Sequence, residues 1–345
     1  MKNKSNRHGI LFEEVQLGPF PMHRLKRVDK PTNLITDNVQ RVDFRENAFA
    51  RGARGDYGPA VQRASSRPLA QRHPLSAAEF DVLHNLSSTK DNEVVAAKAP
   101  VAEDHRILSR HIKRLGYFLK ADIIGICRFP KSAVYTHDRQ GNPIDIDYQY
   151  AIVIVMRKES RTVNASNGYD WITDAISFQA YQHSALVAQT MANYIRRLGY
   201  RASPQTASGY DVVIPPLLLW AGIGEVSRVG IILNPFLGLS FKAAAVLTDL
   251  PLEPDKPINF GLQDFCQHCK ICAEMCPSKA ILTGDTVMYN GYQTWKLDEQ
   301  RCASFSLLNK NGTICNTCVK VCPWSNPTTW PHNLVRRAVE HSGLA

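Results

Sequence analysis

Residues 265–277 read FCQHCKICAEMCP, in which four cysteines have the spacing C-x2-C-x2-C-x3-C-P. Three closely spaced thiolates in this pattern ligate three corners of one 4Fe-4S cubane, and the fourth thiolate ligates a second cluster. The stretch 302–323 repeats the pattern and ends in CNTCVKVCP, with its first cysteine set further upstream. The eight cysteines are Cys266, Cys269, Cys272, Cys276, Cys302, Cys315, Cys318 and Cys322. Together they predict a ferredoxin-like module that holds two 4Fe-4S clusters.

The same pattern predicts how the cysteines divide between the clusters, because the fourth ligand of each run is exchanged. One cluster is assigned to Cys266, Cys269, Cys272 and Cys322. The other is assigned to Cys276, Cys315, Cys318 and Cys302. The long spacing before Cys315 leaves open which cluster Cys302 ligates.

Two other uses of these cysteines fit the sequence less well. Zinc ribbons use paired C-x2-C knuckles, not a triplet followed by Cys-Pro. Disulfides need a secretory context, and the polar start MKNKSNRHG has no apolar segment behind it. The ninth cysteine, Cys127, lies in the apolar run IIGIC and is predicted to be a small buried hydrophobic residue.

Composition and charge narrow the class of protein. The chain has 345 residues, of which 44% are hydrophobic and 21% charged, as in ordinary globular proteins. It lacks the run of about 18 apolar residues that a membrane span requires. The net charge is +10, and residues 1–120 hold 21 Lys and Arg against 13 Asp and Glu, a surplus of 21 − 13 = 8. These charges show no reading helix or aromatic platform, so a nucleic-acid partner is not favoured. A solvated, partly irregular lead-in is the favoured interpretation, and a docking surface for an acidic electron donor is the alternative.

Patterning predicts an α+β chain in four parts. Residues 1–100 are predicted to be an irregular lead-in, 101–255 an α/β domain, 256–330 the ferredoxin-like domain, and 331–345 a tail. In the α/β domain, Ile107, Ile112 and Leu115 predict a helix capped by Gly116, and 121–129 and 150–156 predict strands. The run 150–156 is apolar throughout, which indicates burial on both faces. A long helix is predicted over 170–198, and Gly222-Ile223-Gly224 is interpreted as a helix-end turn.

The segment from 215 to 322 resembles the reductive dehalogenases. The resemblance rests on PLLLWAGIGEVSRVGIILNPFLG, VLTDLPLEPDKPI and FGLQDFCQHCKICAEMCPSKAI, which occur here in the order of that family's motifs. It implies a nitroreductase-like corrinoid-binding α/β domain before the ferredoxin-like domain. It also implies cobalamin bound base-off, with no protein ligand to cobalt. The implied activity is the replacement of halogen by hydrogen on an organohalide, expected to be aromatic, by Co(I) cobalamin that the two clusters reduce.

The resemblance also implies roles for particular residues. Tyr181 matches the family's proton donor, and Lys242 matches the basic residue that lowers its pKa. Ser177, one helical turn before Tyr181, is expected to hydrogen-bond the Tyr181 hydroxyl. Trp220, Glu225 and Arg228 are candidates to line the corrin cleft, and an ion pair between Glu225 and Arg228 at a helix end is the alternative.

The same resemblance sets expectations about partners and location. A lysine at position 242 resembles the cytoplasmic catabolic branch of the family, and the N-terminus shows no twin-arginine signal. A cytoplasmic enzyme without a membrane partner is therefore expected. No reductase sequence follows Cys322, so an external donor is expected, which would be a ferredoxin, a flavodoxin or a separate reductase.

Two other functions remain open at the level of sequence. Epoxyqueuosine reductase shares the corrinoid domain and two clusters but acts on tRNA, and it normally carries further tRNA-binding sequence after the clusters. A pure electron-transfer protein would bind iron and no cobalamin. The large α/β domain and the spacing of Tyr181 and Lys242 argue against this second alternative.

Overall fold

The computed structural model describes residues 16–67, 73–87, 93–312 and 314–326, with a few positions after 326. The α-helices are α1 Ala48–Arg54, α2 Pro59–Ser65, α3 Pro74–Ser87, α4 His105–Phe118, α5 Ser160–Ala165, α6 Trp171–Arg197, α7 Ile214–Trp220, α8 Leu262–His268, α9 Ile271–Glu274, α10 Glu299–Leu308 and α11 Thr317–Val321. The strands are β1 Ile123–Arg128, β2 Tyr150–Arg157, β3 Ala202–Gln205, β4 Glu225–Val226, β5 Ile232–Leu233, β6 Phe241–Thr248, β7 Val287–Tyr289 and β8 Tyr292–Thr294. Short 3-10 helices cover Met22–Arg24, Phe44–Glu46 and Lys131–Ala133. The polar N-terminus and most of the 331–345 tail lie outside the described residues.

A four-stranded antiparallel sheet with the order β1-β2-β6-β3 lies at the centre of the α/β part. Both of its faces are buried, as the apolar run 150–156 predicts. On β2, Ile152 faces one core and Val153 faces the other. Met191 of α6 belongs to the first core and Leu217 of α7 to the second, so helices cover the sheet on both sides. Each such aliphatic side chain stabilises the fold by about 1.5–3 kcal/mol on burial.

The long helix α6 forms where the sequence predicts it. The Asp170 side chain accepts a hydrogen bond from Thr173 N, which satisfies one of the free amide groups at the start of the helix. The helix ends at Arg197, and Leu198 is its C-terminal cap. One face of α6 packs on β6 and the other on α3. This helix therefore connects the sheet with the N-terminal part of the chain.

The lead-in differs from the irregular segment that the sequence predicts. It contains α1, α2 and α3, and α3 packs along α6. Within α3, Leu83 is 1% exposed, and the Gln189 side chain on α6 donates a hydrogen bond to Leu86 O at 2.5 Å. Helices this short are marginal alone and are stabilised by packing, so local patterning does not reveal them.

Two smaller predictions have different outcomes. The turn at Gly222 is confirmed, since α7 ends at Trp220 and Gly222 has a φ of +63°. The prediction that Gly116 caps α4 is wrong, because the helix continues to Phe118 and the left-handed residue is Lys120, with a φ of +74°. Gly116 instead permits close packing on the sheet, since an added Cβ would lie 2.6 Å from the Ile124 side chain.

The C-terminal part has a core of its own, built around the cysteines. Leu262, Phe265 and Trp324 pack there with buried Cys266 and Cys322. The mixed helix and sheet fold followed by a ferredoxin-like part confirms the predicted α+β class. In the described part of the chain, no helix is both long and apolar enough to cross a bilayer.

Candidate active site and cluster sites

The first set of thiols is brought together by α8, α9 and the chain after α11. Burial, followed by the neighbouring thiols of Cys322 and Cys269, raises the pKa of Cys272 to about 12. Burial, and then Cys322, Cys272 and Cys269, raises the pKa of Cys266 as well. These interactions place the thiols of Cys266, Cys269, Cys272 and Cys322 near one another, as the predicted ligand set requires. Thiolates are the form that binds iron, so bound metal would offset the cost of ionising them there.

The second set of thiols contains Cys302. Burial, followed by Cys315 and Cys276, raises the pKa of Cys302 to about 11. Burial, and then Cys315 and Cys302, raises the pKa of Cys318. These effects place Cys302 near Cys315 and Cys276, and they place Cys318 near Cys315, Cys302 and also Cys272. The assignment of Cys302 to the second cluster therefore stays a prediction. Within the described ranges, no three His, Cys, Asp or Glu side chains converge tightly enough to hold a single metal ion, whereas in a cubane each cysteine ligates a different iron.

Tyr181 on α6 and Lys242 on β6 meet at the interface between the helix and the sheet. The Lys242 Nζ lies 4.5 Å from the centroid of the Tyr181 ring. Lys242 pairs with Met156 in the sheet, and Met156 belongs to the core on the α6 side. Both side chains are half-buried. An ammonium in this position binds the face of the ring.

Lys158, one residue beyond β2, is a buried cation that the sequence analysis missed. Its backbone N donates to Ser240 O at 2.9 Å, so it is a diagonal neighbour of Lys242 on the same sheet face, about 7–8 Å away. Lys158 is 3% exposed and lines a small cavity with Asn316. Burial, and then Lys242, lowers its pKa well below the usual range, and Cys318 opposes this effect. The available signal was a lysine directly after a strand that is buried on both faces.

Ser177 does not take the place that the sequence predicts for it. Its hydroxyl donates to Thr173 O at 2.9 Å and accepts from the Asn316 side-chain amide at 3.2 Å. Asn316 lies in the loop between Cys315 and Cys318. Ser177 therefore links α6 to the second set of thiols, and the expected bond to the Tyr181 hydroxyl is not among the described contacts.

Tyr210 is a second residue that the sequence analysis missed. Burial raises its pKa well above the usual range, and the neighbouring Tyr181, hydrogen-bonded to it, raises it further. Tyr210 also packs against the core on the α7 side, as does the half-buried Trp220. The phenol of Tyr181 thus has a lysine over its ring and a second phenol at its hydroxyl.

Glu225 lies in β4 and is 1% exposed, so it does not line an open cleft. Its carboxylate accepts hydrogen bonds from Phe260 N at 2.9 Å, Leu262 N at 3.4 Å and the Thr32 hydroxyl. Burial raises its pKa, and these three donors oppose the rise. Glu225 therefore ties the lead-in to the start of α8, and its predicted contact with a corrin is wrong because its oxygens are already bonded within the protein.

Arg228 is also 1% exposed and bonds to the cysteine module. Its Nε donates to Cys266 O at 2.8 Å, its Nη1 to Leu282 O at 3.1 Å and Gly284 O at 2.9 Å, and its Nη2 to Gln267 O at 3.2 Å. The predicted corrin contact is wrong for this residue too, because every one of these partners is a backbone carbonyl of the module. The alternative ion pair with Glu225 is not found among the described residues either.

Comparison with known proteins agrees with this arrangement. The family model of a 4Fe-4S dicluster domain matches residues 265–326, which confirms the two-cluster module. The tetrachloroethene reductive dehalogenase of Desulfitobacterium hafniense is 36% identical over 201 residues, covering 55% of this chain and 35% of that protein. The epoxyqueuosine reductase of Staphylococcus aureus is 34% identical over 117 residues, covering 30% of this chain and 27% of that protein.

A solved structure matches nearly the whole chain. It is the catabolic reductive dehalogenase NpRdhA in complex with 3-bromo-4-hydroxybenzoic acid, with a TM-score of 0.89 and 35% identity. The match covers 97% of this chain and 49% of NpRdhA, so the chain spans about half the length of that relative. Fold and cluster module together define an iron-sulfur protein with a dicluster ferredoxin-like part. Within that class, the comparisons support the reductive dehalogenase family.

Proposed function

We propose that this chain carries the reaction centre of a cobalamin-dependent reductive dehalogenase. The observation that carries the proposal is the Tyr181–Lys242 pair, in which the lysine Nζ lies 4.5 Å from the ring centroid. Tyr181 lies on the helix that Ser177 and Asn316 connect to the second set of thiols. A proton donor and an electron source are thus joined by one helix.

The residues fit the two kinds of cofactor that this function needs. Eight thiols in two sets of four match two 4Fe-4S clusters. For the corrinoid, the Ser240 hydroxyl is buried near Lys242 and has no hydrogen-bond partner among the described residues, so a polar group of a bound molecule would complete it. Trp220 remains a candidate for contact with the ring. A bound corrinoid supplies the reducing cobalt chemistry that cleaves the carbon–halogen bond.

The protein's own residues supply the proton. Replacement of halogen by hydrogen consumes two electrons and one proton, and it releases halide. The two clusters provide one electron each, and the Tyr181 hydroxyl provides the proton. A free tyrosine with a pKa of about 10 is a weak acid at neutral pH. The Lys242 ammonium stabilises the phenolate that remains, and solvent then protonates Tyr181 again.

The substrate class that we favour is an aromatic organohalide. NpRdhA, whose structure contains 3-bromo-4-hydroxybenzoic acid, matches 97% of this chain. Tyr181, Tyr210 and Lys242 would suit a flat, electron-rich or anionic ring. We further propose that the electrons come from an external donor, and that the protein acts in the cytoplasm.

The first test is metal content after anaerobic production with cobalamin supplied, followed by halide release. We expect about one cobalt and about eight irons per chain. Bromide should be released from 3-bromo-4-hydroxybenzoic acid faster than chloride is released from tetrachloroethene. Iron without cobalt would favour an electron carrier. Cobalt and iron with turnover of epoxyqueuosine in a tRNA stem loop, and no halide release, would favour the epoxyqueuosine reductase alternative.

A further inference from the structure

Arg228 is a cation buried inside the ferredoxin-like part, where no acidic side chain pairs with it in the described structure. It is 1% exposed, and its four hydrogen bonds all go to carbonyl oxygens. Its guanidinium carbon also lies 5.0 Å from the centroid of the Trp295 ring. An arginine stays charged at any ordinary pH, so this is a permanent positive charge in a medium of low dielectric constant.

A buried charge without an opposite charge is costly, and carbonyl dipoles offset only part of the cost. The cluster on the first set of thiols would supply an opposite charge. Arg228 Nε donates to the carbonyl of Cys266 itself at 2.8 Å, and Nη2 donates to that of the adjacent Gln267 at 3.2 Å. Four thiolates give a 4Fe-4S cluster a net negative charge, which grows by one unit when the cluster is reduced.

We propose that Arg228 compensates the charge of the cluster on Cys266, Cys269, Cys272 and Cys322, and that it raises the reduction potential of this cluster selectively. The inference rests on the proposed function only in requiring that both clusters are present. Net charge, hydrogen bonding and solvent exposure set the potential of such clusters. A fixed positive charge stabilises the reduced form more than the oxidised form, so Arg228 makes this cluster easier to reduce.

The test compares two substitutions that separate charge from hydrogen bonding. Arg228→Lys keeps the positive charge but loses the forked geometry, whereas Arg228→Gln keeps donors and loses the charge. Arg301→Gln is the matched control, because Arg301 is an exposed arginine of the same part of the chain that pairs with Asp298. The midpoint potentials of both clusters are measured by redox titration followed by electron paramagnetic resonance, on anaerobic protein before any corrinoid is added.

We expect Arg228→Gln to lower one midpoint potential by about 59 mV or more, which is a tenfold change in a one-electron equilibrium. The other midpoint, and both midpoints in Arg228→Lys and Arg301→Gln, should stay near those of the wild type. Arg228→Gln can also fail to assemble the first cluster while Arg228→Lys assembles both. That result would support the inference too, because it shows that the first cluster needs the positive charge of residue 228.

The inference is overturned if the two Arg228 variants behave alike, either with unchanged potentials or with equal loss of iron. A shift of both midpoints by the same amount in Arg228→Gln would also overturn it. Failure of the proposed function can be told apart from failure of this inference. If only the proposed function fails, the wild-type protein lacks cobalt or releases no halide, while the cluster potentials still change in Arg228→Gln.

Discussion

Asn316 donates its side-chain amide to the hydroxyl of Ser177 at 3.2 Å, although 139 residues separate them. Asn316 lies between two cysteines of the second set, and Ser177 lies one helical turn before Tyr181. This bond fixes the position of the cluster loop relative to the helix that carries the candidate proton donor. The same loop contacts α6 again where Ile314 N donates to the Asp174 carboxylate at 2.8 Å.

Removal of either partner of this bond should loosen the second cluster. Ser177→Ala and Asn316→Ala both lose this hydrogen bond, worth about 1 kcal/mol, and Ser177→Ala also loses the bond to Thr173 O. We expect both to lower the temperature at which the cluster absorbance is lost, and the double variant to lower it no further than one of them alone. Additive effects in the double variant would show that the two side chains act independently.

Tyr181→Phe should keep iron and cobalt but lose halide release by about 100-fold or more, the usual contribution of a positioned acid. Lys242→Met should reduce turnover as well, because the phenolate loses its neighbouring charge. Tyr194→Phe is the control, since Tyr194 lies on the same helix and its hydroxyl contacts His111 at 2.9 Å. Full turnover in Tyr181→Phe would exclude this residue as the proton donor.

Replacement of single cysteines should test the division into two sets. Cys302→Ala and Cys276→Ala should each reduce the iron content from about eight to about four atoms per chain. Cys127→Ala should keep about eight, because Cys127 is 1% exposed within the apolar sheet core. If Cys302→Ala retains both clusters, then Cys302 is not a ligand.

Glu79 on α3 should make stability depend on pH. Burial raises its pKa from 4.5 to about 7, and its Oε2 is buried without a hydrogen-bond partner in the described structure. The folded chain therefore holds this proton more tightly than the unfolded chain, and stability falls as the pH rises between these two values. Glu79→Gln should raise the melting temperature at about pH 8 and change it little at about pH 4.5. An equal change in melting temperature at both pH values would show that the Glu79 carboxyl does not cause the pH dependence of stability.

Asp255 should stabilise the junction between the sheet and the ferredoxin-like part. Its carboxylate pairs with Lys113 at 2.5 Å and accepts from Ile126 N at 2.8 Å, and both charged side chains are less than one-fifth exposed. Asp255→Ala should cost about 2–4 kcal/mol of stability, since it leaves a shielded lysine and an amide unpaired. Asp29→Ala, which breaks the exposed pair with Lys256, should cost much less stability, because solvent screens that pair. The loss of stability in the two variants is measured by thermal unfolding and compared.

Residues close together in the sequence determined the cysteine module, one buried strand and the long helix of this protein. The cysteine spacing predicted the two-cluster module, and the apolar run 150–156 predicted a strand buried on both faces. Asp170 and the pattern behind it predicted the long helix. These predictions succeeded because ligand spacing, strand burial and helix capping depend on residues that are close in the chain.

Only the tertiary structure decided what distant residues do together. In the folded chain, Lys158 lies on the same sheet face as Lys242, and Ser177 is hydrogen-bonded to Asn316. Glu225 and Arg228 are buried within the protein. Helix α3 is stabilised by its packing on α6. The physical reason is that burial and long-range hydrogen bonds set the role of a charged side chain, and neither can be deduced from its neighbours in the sequence.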